Sequence, residues 1–325
     1  MPASLTHSSQ VQIDISTPSR LHFGLLSFGG DGRQFGGVGV MIDRPNTRLS
    51  LRPATAFRIA GPQADRIQQF VDRWTSHHAV TPPACEIHVQ ESAPAHCGLG
   101  SGTQLALAIA AGLNAFCQRP PETARELALS VGRGLRSAVG TYGFVQGGLI
   151  VERGKLPTEA ISPLDCRIEL PDAWRFVLVQ PRVHPGLSGP AEQAAFATIP
   201  AVPETTTQRL SALLREDLIP AIMRADFQTF ARSLTEYGYQ AGMCFASVQG
   251  GPYNGPRLSA LTERMQALGA AGVGQSSWGP TLFAVLPDAT TAEQFGAELQ
   301  QHEPDVQIAI AASCNTGATL RHVPS

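Results

Sequence analysis

The sequence predicts an α+β fold made of two two-layer domains. Its 325 residues are about twice the ~150 residues of a typical domain. Strand-like and helix-like patterns alternate in both halves of the chain, and hairpin-like pairs of strands dominate its start. We therefore expect a flexible tail at 1–10, a first domain at 11–165 and a second domain at 166–325.

The first half begins with strand patterns. Val11, Ile13 and Ile15 alternate with polar residues, which is typical of a strand with one buried face. The glycine-rich run 28–40 predicts a loop or a tight hairpin. Apolar residues at helical spacing predict an amphipathic helix over 63–78. The other predicted elements here are strands at 21–27, 47–52, 85–90 and 144–151, and helices at 101–117 and 121–132.

A break is predicted at 154–171, where glycine, proline and polar residues cluster. After it, alternation of Val306, Ile308 and Ile310 predicts a strand over 306–311. The other predicted elements of this half are strands at 175–180 and 281–286, and helices at 204–224, 226–245, 257–269 and 290–301.

Composition excludes several classes of protein. The 24 basic and 26 acidic residues leave a net charge of −2, without the basic excess of nucleic-acid or membrane-surface binders. The start lacks a signal-peptide pattern, and the longest apolar stretch, 105–116, is too short to span a bilayer. The six cysteines form no C-x-x-C pair, so we expect neither zinc nor disulfides, and a cytoplasmic location.

Lysine is almost absent from the sequence. Lys155 is the only lysine among the 24 basic residues, and it lies in the turn-like run 152–157. A pyridoxal phosphate Schiff base or a P-loop lysine would have to use this residue. We therefore expect no pyridoxal phosphate, and we expect arginines and helix N-termini to bind anions.

A glycine turn in the segment 91–116 carries the clearest chemical signal. A strand ends, Gly98, Gly100 and Gly102 follow, and a helix begins at once. Glycines let an anion approach the backbone, and the N–H groups and dipole of the first helical turn favour it. The pattern is neither Walker A nor the Rossmann spacing. An ordinary strand-to-helix turn is the alternative. The phosphate-binding candidates are His96, Gly98, Leu99, Gly100, Ser101, Gly102 and Thr103.

Two further glycine clusters carry polar residues. In 132–148, Arg133 and Arg136 lie in a glycine-rich frame that suits bidentate recognition of phosphate or carboxylate, although two solvated arginines at a helix end are the alternative. In 269–286, Trp278 lies in a serine- and glycine-rich turn. A Trp is costly to leave in water, so we expect it to pack on a neighbouring core or on an aromatic substrate.

Four segments in order resemble the GHMP kinase superfamily. They are TPSRLHFGLL, PAHCGLGSGTQLALA, GRGLRSAVG and GVGQSSWGPTLFAVL. Within the superfamily, the chain most resembles the β-ribofuranosylaminobenzene 5′-phosphate synthases, because of Arg20-Leu21-His22, Gly102-Thr103-Gln104, Arg136-Ser137 and the run from Gly274 to Gly279. The resemblance covers roughly 11–322.

The resemblance implies a fold and a reaction. The N-terminal domain would be an α/β sandwich with a left-handed crossover, and the C-terminal domain would be ferredoxin-like, with the active site at their interface. The reaction would join phosphoribosyl pyrophosphate to 4-aminobenzoate or 4-hydroxybenzoate, with release of pyrophosphate and carbon dioxide, in methanopterin-type cofactor biosynthesis. Magnesium and a homodimer are also implied.

The resemblance also directs attention to individual residues. Arg20 and Arg136 are candidates for contact with a phosphate or the benzoate carboxylate, and His22 for a hydrogen bond to the leaving group or the aromatic hydroxyl. A surface ion pair and a structural histidine are the alternatives. Asp43 could hold magnesium or the ribose hydroxyls, or it caps a turn. The substrate-binding candidates are Gly274, Gln275, Ser276, Ser277 and Trp278.

Two rival functions stay open at this point. The first is an ATP-dependent small-molecule kinase on the same fold. Tyr142 stands where many superfamily kinases carry an acidic residue, and Arg20 stands where several carry a lysine, and both departures weaken the kinase hypothesis. The second rival is a catalytically silent binding protein that keeps the phosphate-binding turn.

Overall fold

The computed structural model describes residues 11–182 and 189–324. The predicted tail at 1–10 lies outside the described residues. Two sheets, each covered by helices, confirm the α+β class. The strands are β1 (Val11–Ser27), β2 (Phe35–Pro53), β3 (Arg58–Ala60), β4 (Cys85–Glu91), β5 (Leu149–Glu152), β6 (Leu164–Ile168), β7 (Arg175–Pro181), β8 (Gly272–Gln275), β9 (Leu282–Leu286), β10 (Val306–Ala312) and β11 (Thr319–Pro324).

The helices follow the same chain order. They are α1 (Ala64–His78), α2 (Ser101–Phe116), α3 (Ala124–Ser130), α4 (Val139–Gln146), α5 (Gly189–Thr198), α6 (Glu204–Ala212), α7 (Ile219–Met223), α8 (Phe227–Met243), α9 (Ala246–Gln249), α10 (Pro256–Ala267) and α11 (Ala289–His302). A π-helical segment, Leu213–Leu218, joins α6 to α7 without a break. The long predicted helix at 204–224 is thereby confirmed.

The first sheet has the order β11-β1-β2-β4-β3, and β2 also pairs with β5, which pairs with β6. Only the β3–β4 pairing is parallel among the described pairs of this sheet. One face of this sheet packs against α1 and α2, whose buried residues include Trp74 and Ile109. The predicted helix at 63–78 buries Ile67, Phe70 and Val71 as its spacing indicated.

The second sheet has the order β10-β7-β9-β8, and all of its described pairings are antiparallel. With α10 before β8 and α11 before β10, the chain order is βαββαβ, which is the ferredoxin-like arrangement. Helices α10 and α11 pack on one face through residues such as Leu261 and Phe295. Helix α8 packs on the other face, where Phe176 and Phe283 meet Phe23 of β1 in one core.

The first sheet includes strands that lie at or beyond the boundary predicted at residue 165. That position falls inside β6, which pairs with β5 of the first sheet. The chain later returns from the second sheet, and β11 pairs with β1. The first sheet is therefore built from both ends of the described chain.

The glycine-rich run 28–40 forms a hairpin between β1 and β2, which is one of its two predicted forms, and its residues 35–40 already belong to β2. Gly39 serves packing here, because a side chain would collide with the Leu21 carbonyl oxygen. Residues 139–146 form α4, and the strand expected over 144–151 begins only at Leu149.

Candidate active site

A cavity of about 330 Å³ lies where the two halves of the chain meet. Its lining comes from β1, the glycine turn before α2, the segment 132–137, α5, α8 and the segment 275–279. All four segments that carried the family resemblance therefore reach one site. The sequence-predicted residues that line it are Arg20, His22, His96, Gly98, Thr103, Arg136, Gln275, Ser277 and Trp278.

The glycine turn presents the open start of a buried helix to this cavity. Gly98 and Gly100 have φ values of 78° and 70°, which side chains rarely adopt. Gly100 is the N-cap of α2 and makes no side-chain capping hydrogen bond. The other phosphate-binding candidates lie beside or behind the lining: Leu99, Gly100, Ser101 and Gly102.

Ser276 joins three of the four segments from behind the cavity. Its hydroxyl donates to the Gly98 carbonyl over 2.7 Å and accepts from the His22 backbone N–H over 3.0 Å. The Ser277 N–H donates to the His22 carbonyl over 3.1 Å. Ser276 is fully buried, and neither it nor Gly274 is among the lining residues. Ser276 thus positions the wall against which substrate would bind.

Arg20 is tied to the same turn. Its backbone N–H donates to the Leu99 carbonyl over 2.9 Å, and its Nη1 donates to the Gly98 carbonyl over 3.3 Å. A Cβ at Gly100 would lie 3.3 Å from the Arg20 side chain. The guanidinium therefore lies directly against the glycine turn, where a bound anion would receive both its charge and the backbone N–H groups.

His22 lies in the wall as a neutral imidazole. Its side chain is buried, with 4% exposure, and its Nε2 lies 3.1 Å from the Ser137 hydroxyl. Burial lowers the pKa of His22 well below its usual 6.5, and the charge of Arg20 adds to this shift. The ring can donate or accept one hydrogen bond in the cavity without carrying charge.

Glu152 is a buried acid behind this wall that sequence reasoning missed. Its carboxylate accepts from the Ala138 N–H over 2.7 Å at the start of α4. Burial raises its pKa, while the neighbouring Ser137, Ala138 and Ser162 and the charge of Arg20 act in the opposite direction. Its position after a short apolar strand was the only available signal.

Three aromatic side chains, Phe196, Phe245 and Trp278, form one wall of the cavity, called the aromatic wall below. Their ring centroids lie 4.9–5.8 Å apart. The Arg136 guanidinium lies 4.9 Å from the Phe196 ring centroid. An arginine beside an aromatic surface can bind a flat aromatic anion. Sequence reasoning missed Phe196 because α5 was not predicted.

The lining offers little to hold a metal ion. No carboxylate lines the cavity among the residues that the structure describes, and those residues contain no cluster of three metal-ligating side chains. Asp43 lies outside the lining, where its Oδ1 accepts from the Ala312 N–H over 2.8 Å and its Oδ2 lies 3.4 Å from Arg44 Nε. The residues present therefore do not fit a magnesium ion held by the protein.

Several other sequence features also lie outside the lining. Lys155 forms a bridge with Gln34, and the Tyr142 hydroxyl donates to the Ser162 carbonyl. The six cysteines, all within the described ranges, are unpaired thiols. Over 11–182 and 189–324, no helix is both long enough and apolar enough to cross a membrane.

Comparison with known proteins extends this description. The family model for the GHMP kinases N terminal domain matches residues 65–148, and that for GHMP kinases C terminal matches residues 218–305. Homoserine kinase from Cytophaga hutchinsonii shares the fold, with a TM-score of 0.70 and 15% identity over 99% of this chain and 100% of that one.

Curated relatives are more informative than the solved structures. A protein named beta-ribofuranosylphenol 5'-phosphate synthase from Methanothermobacter thermautotrophicus is 30% identical over 95% of this chain and 99% of its own length. A protein of the same name from Archaeoglobus fulgidus is 29% identical over 83% of this chain and 87% of its own length. The chain therefore belongs to the GHMP kinase superfamily and, within it, to the family of the beta-ribofuranosylphenol 5'-phosphate synthases.

Proposed function

We propose that the protein condenses phosphoribosyl pyrophosphate with 4-hydroxybenzoate or 4-aminobenzoate and releases carbon dioxide and pyrophosphate. One observation carries the proposal beyond family membership. The cavity combines an anion-binding end, made by the glycine turn and Arg20, with the aromatic wall and Arg136. These are the surfaces that a phosphorylated sugar and an aromatic carboxylate require.

The reaction balances without a catalytic base. The bond between ribose C1 and the pyrophosphate oxygen breaks, and pyrophosphate leaves with the electron pair. The ring carbon that bears the carboxylate forms a bond to C1, assisted by the para hydroxyl or amino group. The bond to the carboxylate then breaks, carbon dioxide leaves, and its electron pair restores the aromatic ring. No proton has to be removed from the ring carbon.

The residues support this chemistry by binding and orientation. Arg20 and the α2 N-terminus would stabilise the charge that develops on pyrophosphate. Arg136 would hold the benzoate carboxylate against the aromatic wall until carbon dioxide departs. Neutral His22 would donate or accept one hydrogen bond beside C1 without repelling the cationic ribose.

Magnesium enters this proposal with the substrate. A diphosphate usually travels as its magnesium complex, and the described lining offers no carboxylate that would bind the ion independently. The metal would thus be carried by phosphoribosyl pyrophosphate. The product would serve methanopterin-type cofactor biosynthesis, and a homodimer is part of the same proposal.

Labelled substrate tests the proposal. The protein is incubated with phosphoribosyl pyrophosphate, magnesium and carboxyl-labelled 4-hydroxybenzoate or 4-aminobenzoate, and labelled carbon dioxide and pyrophosphate are measured. Equimolar release of both is expected. Absence of release from both acids would contradict the synthase, and ATP consumption with a panel of sugars and alcohols would favour the kinase. Ligand-induced stabilisation without turnover would favour a binding protein.

A further inference from the structure

Arg66 and Arg133 lie beside the first turn of α2, and Arg73 lies near Gly132, close enough to act on Arg133. These three residues are called the arginine cluster below. A side chain at Gly102 would collide with Arg66 Nη2, and its Cβ would lie 3.5 Å from Arg133 Nη2. The Arg133 and Arg66 guanidiniums lie 4.9 and 6.0 Å from the Phe70 ring centroid. The sequence placed Arg133 in a glycine-rich frame but gave no sign of the other two.

The arginine cluster has positive charge and no negative partner among the residues described. No carboxylate forms an ion pair with any of its members there. Arg66 donates to the Gln63 amide oxygen and Arg73 to the Val131 carbonyl, which are neutral acceptors. Arg133 Nε is buried without a hydrogen-bond partner.

The electrostatics of this arrangement are unfavourable for the protein alone. Burial, followed by the charges of Arg66 and Arg73, lowers the pKa of Arg133 to about 10. The positive end of the α2 dipole lies at the same place and repels cations further. Other arginines of the chain, such as Arg33 and Arg153, pair with carboxylates instead. A bound anion would remove this repulsion.

One member of the arginine cluster reaches the cavity: Arg133 lines it together with Thr103. Gly98, in contrast, is held against the loop that carries Trp278, through the Ser276 hydroxyl. Along the glycine turn, the Gly98 side therefore faces the loop that carries Trp278, and the Gly102 side faces Arg66 and Arg133.

We propose that Arg66 and Arg133 bind the terminal phosphate monoester of the sugar substrate, while Arg20 and the Gly98–Gly100 turn face the diphosphate. The proposal rests on the proposed function, in which C1 and its diphosphate must lie near the aromatic acceptor. The 5-phosphate is the anionic group farther from C1. The Gly102 side of the turn contacts the arginine cluster, whereas the Gly98 side contacts the loop that carries Trp278. A phosphate dianion would satisfy both guanidiniums and the buried Nε.

Calorimetric titration with two probes tests this assignment. Ribose 5-phosphate carries the monoester alone, and inorganic pyrophosphate with magnesium represents the diphosphate. In Arg133→Ala and Arg66→Ala, we expect ribose 5-phosphate affinity to fall about 10- to 100-fold and pyrophosphate affinity to change less than about threefold. Arg125→Ala, which removes the same charge from an exposed position of α3, should change neither.

Several outcomes would overturn the assignment. They are an unchanged affinity for ribose 5-phosphate in both variants, an equal loss of affinity for both probes, or binding of ribose 5-phosphate to the wild type that is too weak to measure at about 10 mM. Thermal melting checks that each variant is folded, and Arg133→Lys replaces Arg133→Ala if the latter unfolds. Lysine keeps the positive charge but cannot donate two parallel hydrogen bonds as the guanidinium does, so affinity for ribose 5-phosphate should fall by about tenfold.

The two proposals can fail separately. If the variants lose affinity for ribose 5-phosphate while the wild type releases no labelled carbon dioxide, the phosphate site stands and the synthase proposal is wrong. If carbon dioxide is released but the variants bind ribose 5-phosphate normally, the synthase proposal stands and the assignment to Arg66 and Arg133 is wrong.

Discussion

Two titratable side chains behind the cavity wall, His22 and Glu152, have pKa values that burial shifts towards the neutral form. The positive charge of Arg20 lowers both pKa values, which favours neutral His22 but charged Glu152. Ser137 acts on both: its hydroxyl lies 3.1 Å from the His22 ring, and it lowers the pKa of Glu152. Positive charge is thus concentrated on the arginines of the site, and its other groups contribute hydrogen bonds.

His22 predicts a dependence of stability on pH. Because the pKa of His22 is lowered on folding, the unfolded chain takes up a proton below about pH 6.5 that the folded protein resists. This contribution to stability is present above about pH 6.5 and is lost progressively as the pH falls towards the folded pKa. The loss of Tm between about pH 7 and about pH 5.5 should be smaller in His22→Gln than in the wild type.

The control for this measurement is His302→Gln, at an exposed position near the end of α11. It should lose Tm with pH as the wild type does. An equal pH dependence in His22→Gln and the wild type would show that His22 does not carry the effect.

Substitution of Arg136 should lower catalytic efficiency. Its guanidinium lies over Phe196 in the lining of the cavity, and under the proposed function its removal would leave the benzoate carboxylate without this cation. In Arg136→Ala we expect kcat/KM for the benzoate to fall about 100-fold, equivalent to about 2.7 kcal/mol. Steady-state kinetics with each substrate varied in turn measures this loss, and unchanged kinetics would remove Arg136 from the site.

At the scale of elements, the glycine turn and its helix could be predicted because their signal is local. A polar strand end, three spaced glycines and an apolar helix follow one another directly in 91–116. The glycine-rich turn predicted within 269–286 instead contains strand β8, because Gly272 and Gly274 resemble turn residues in sequence. In the structure, side chains there would collide with Val285 and the Phe283 ring, so these glycines permit close packing of a strand.

Elements fixed by distant partners could not be predicted. Strand β6 lies within the predicted break, and its five residues are held by β5. Strand β11 has six exposed or half-exposed residues that show little periodicity, and β1 fixes it from far along the chain. The cavity shared this limit, because its aromatic wall comes from the second half of the chain and Arg133 from the first, and the two meet only when the sheets assemble.

Substitution of Gly98 in the glycine turn should destabilise the protein more than substitution of Gly269. Gly98 and Gly269 both have positive φ values, 78° and 95°, but a side chain at Gly98 would collide with the Ser276 carbonyl, whereas nothing lies within 4 Å of one at Gly269. Gly269→Ala should lower the free energy of unfolding by about 1 kcal/mol. Gly98→Ala should lower it by about 3 kcal/mol, because the collision adds to the backbone strain.

Denaturant unfolding of the two glycine variants measures both losses. If Gly98→Ala were no more destabilised than Gly269→Ala, the close approach of the turn to Ser276 would be of no energetic importance. Comparison of the two variants therefore separates the destabilisation caused by steric collision from that caused by backbone strain.

At the scale of the whole molecule, the lining of the cavity leads us to expect that magnesium raises the Tm only together with the substrate. Because no carboxylate among its described lining residues would hold the ion, treatment with a chelator should leave the Tm of the substrate-free protein unchanged within about 1 °C. Phosphoribosyl pyrophosphate should raise the Tm more strongly with magnesium than without it, since the diphosphate carries the metal. A fall in Tm on chelation alone would indicate a metal held by the protein.

The return of β11 to β1 has a consequence for synthesis of the chain. Val11 pairs with Pro324, so the first and last described residues are neighbours in one sheet. A ribosome releases residues 319–324 after everything before them, and the amino-terminal sheet thus lacks its edge strand until that moment. Until then β1 exposes unpaired backbone groups, which invite pairing with another chain. A nascent chain that stalls before residues 319–324 are made would therefore be prone to aggregation, although its catalytic cavity would already be encoded in full.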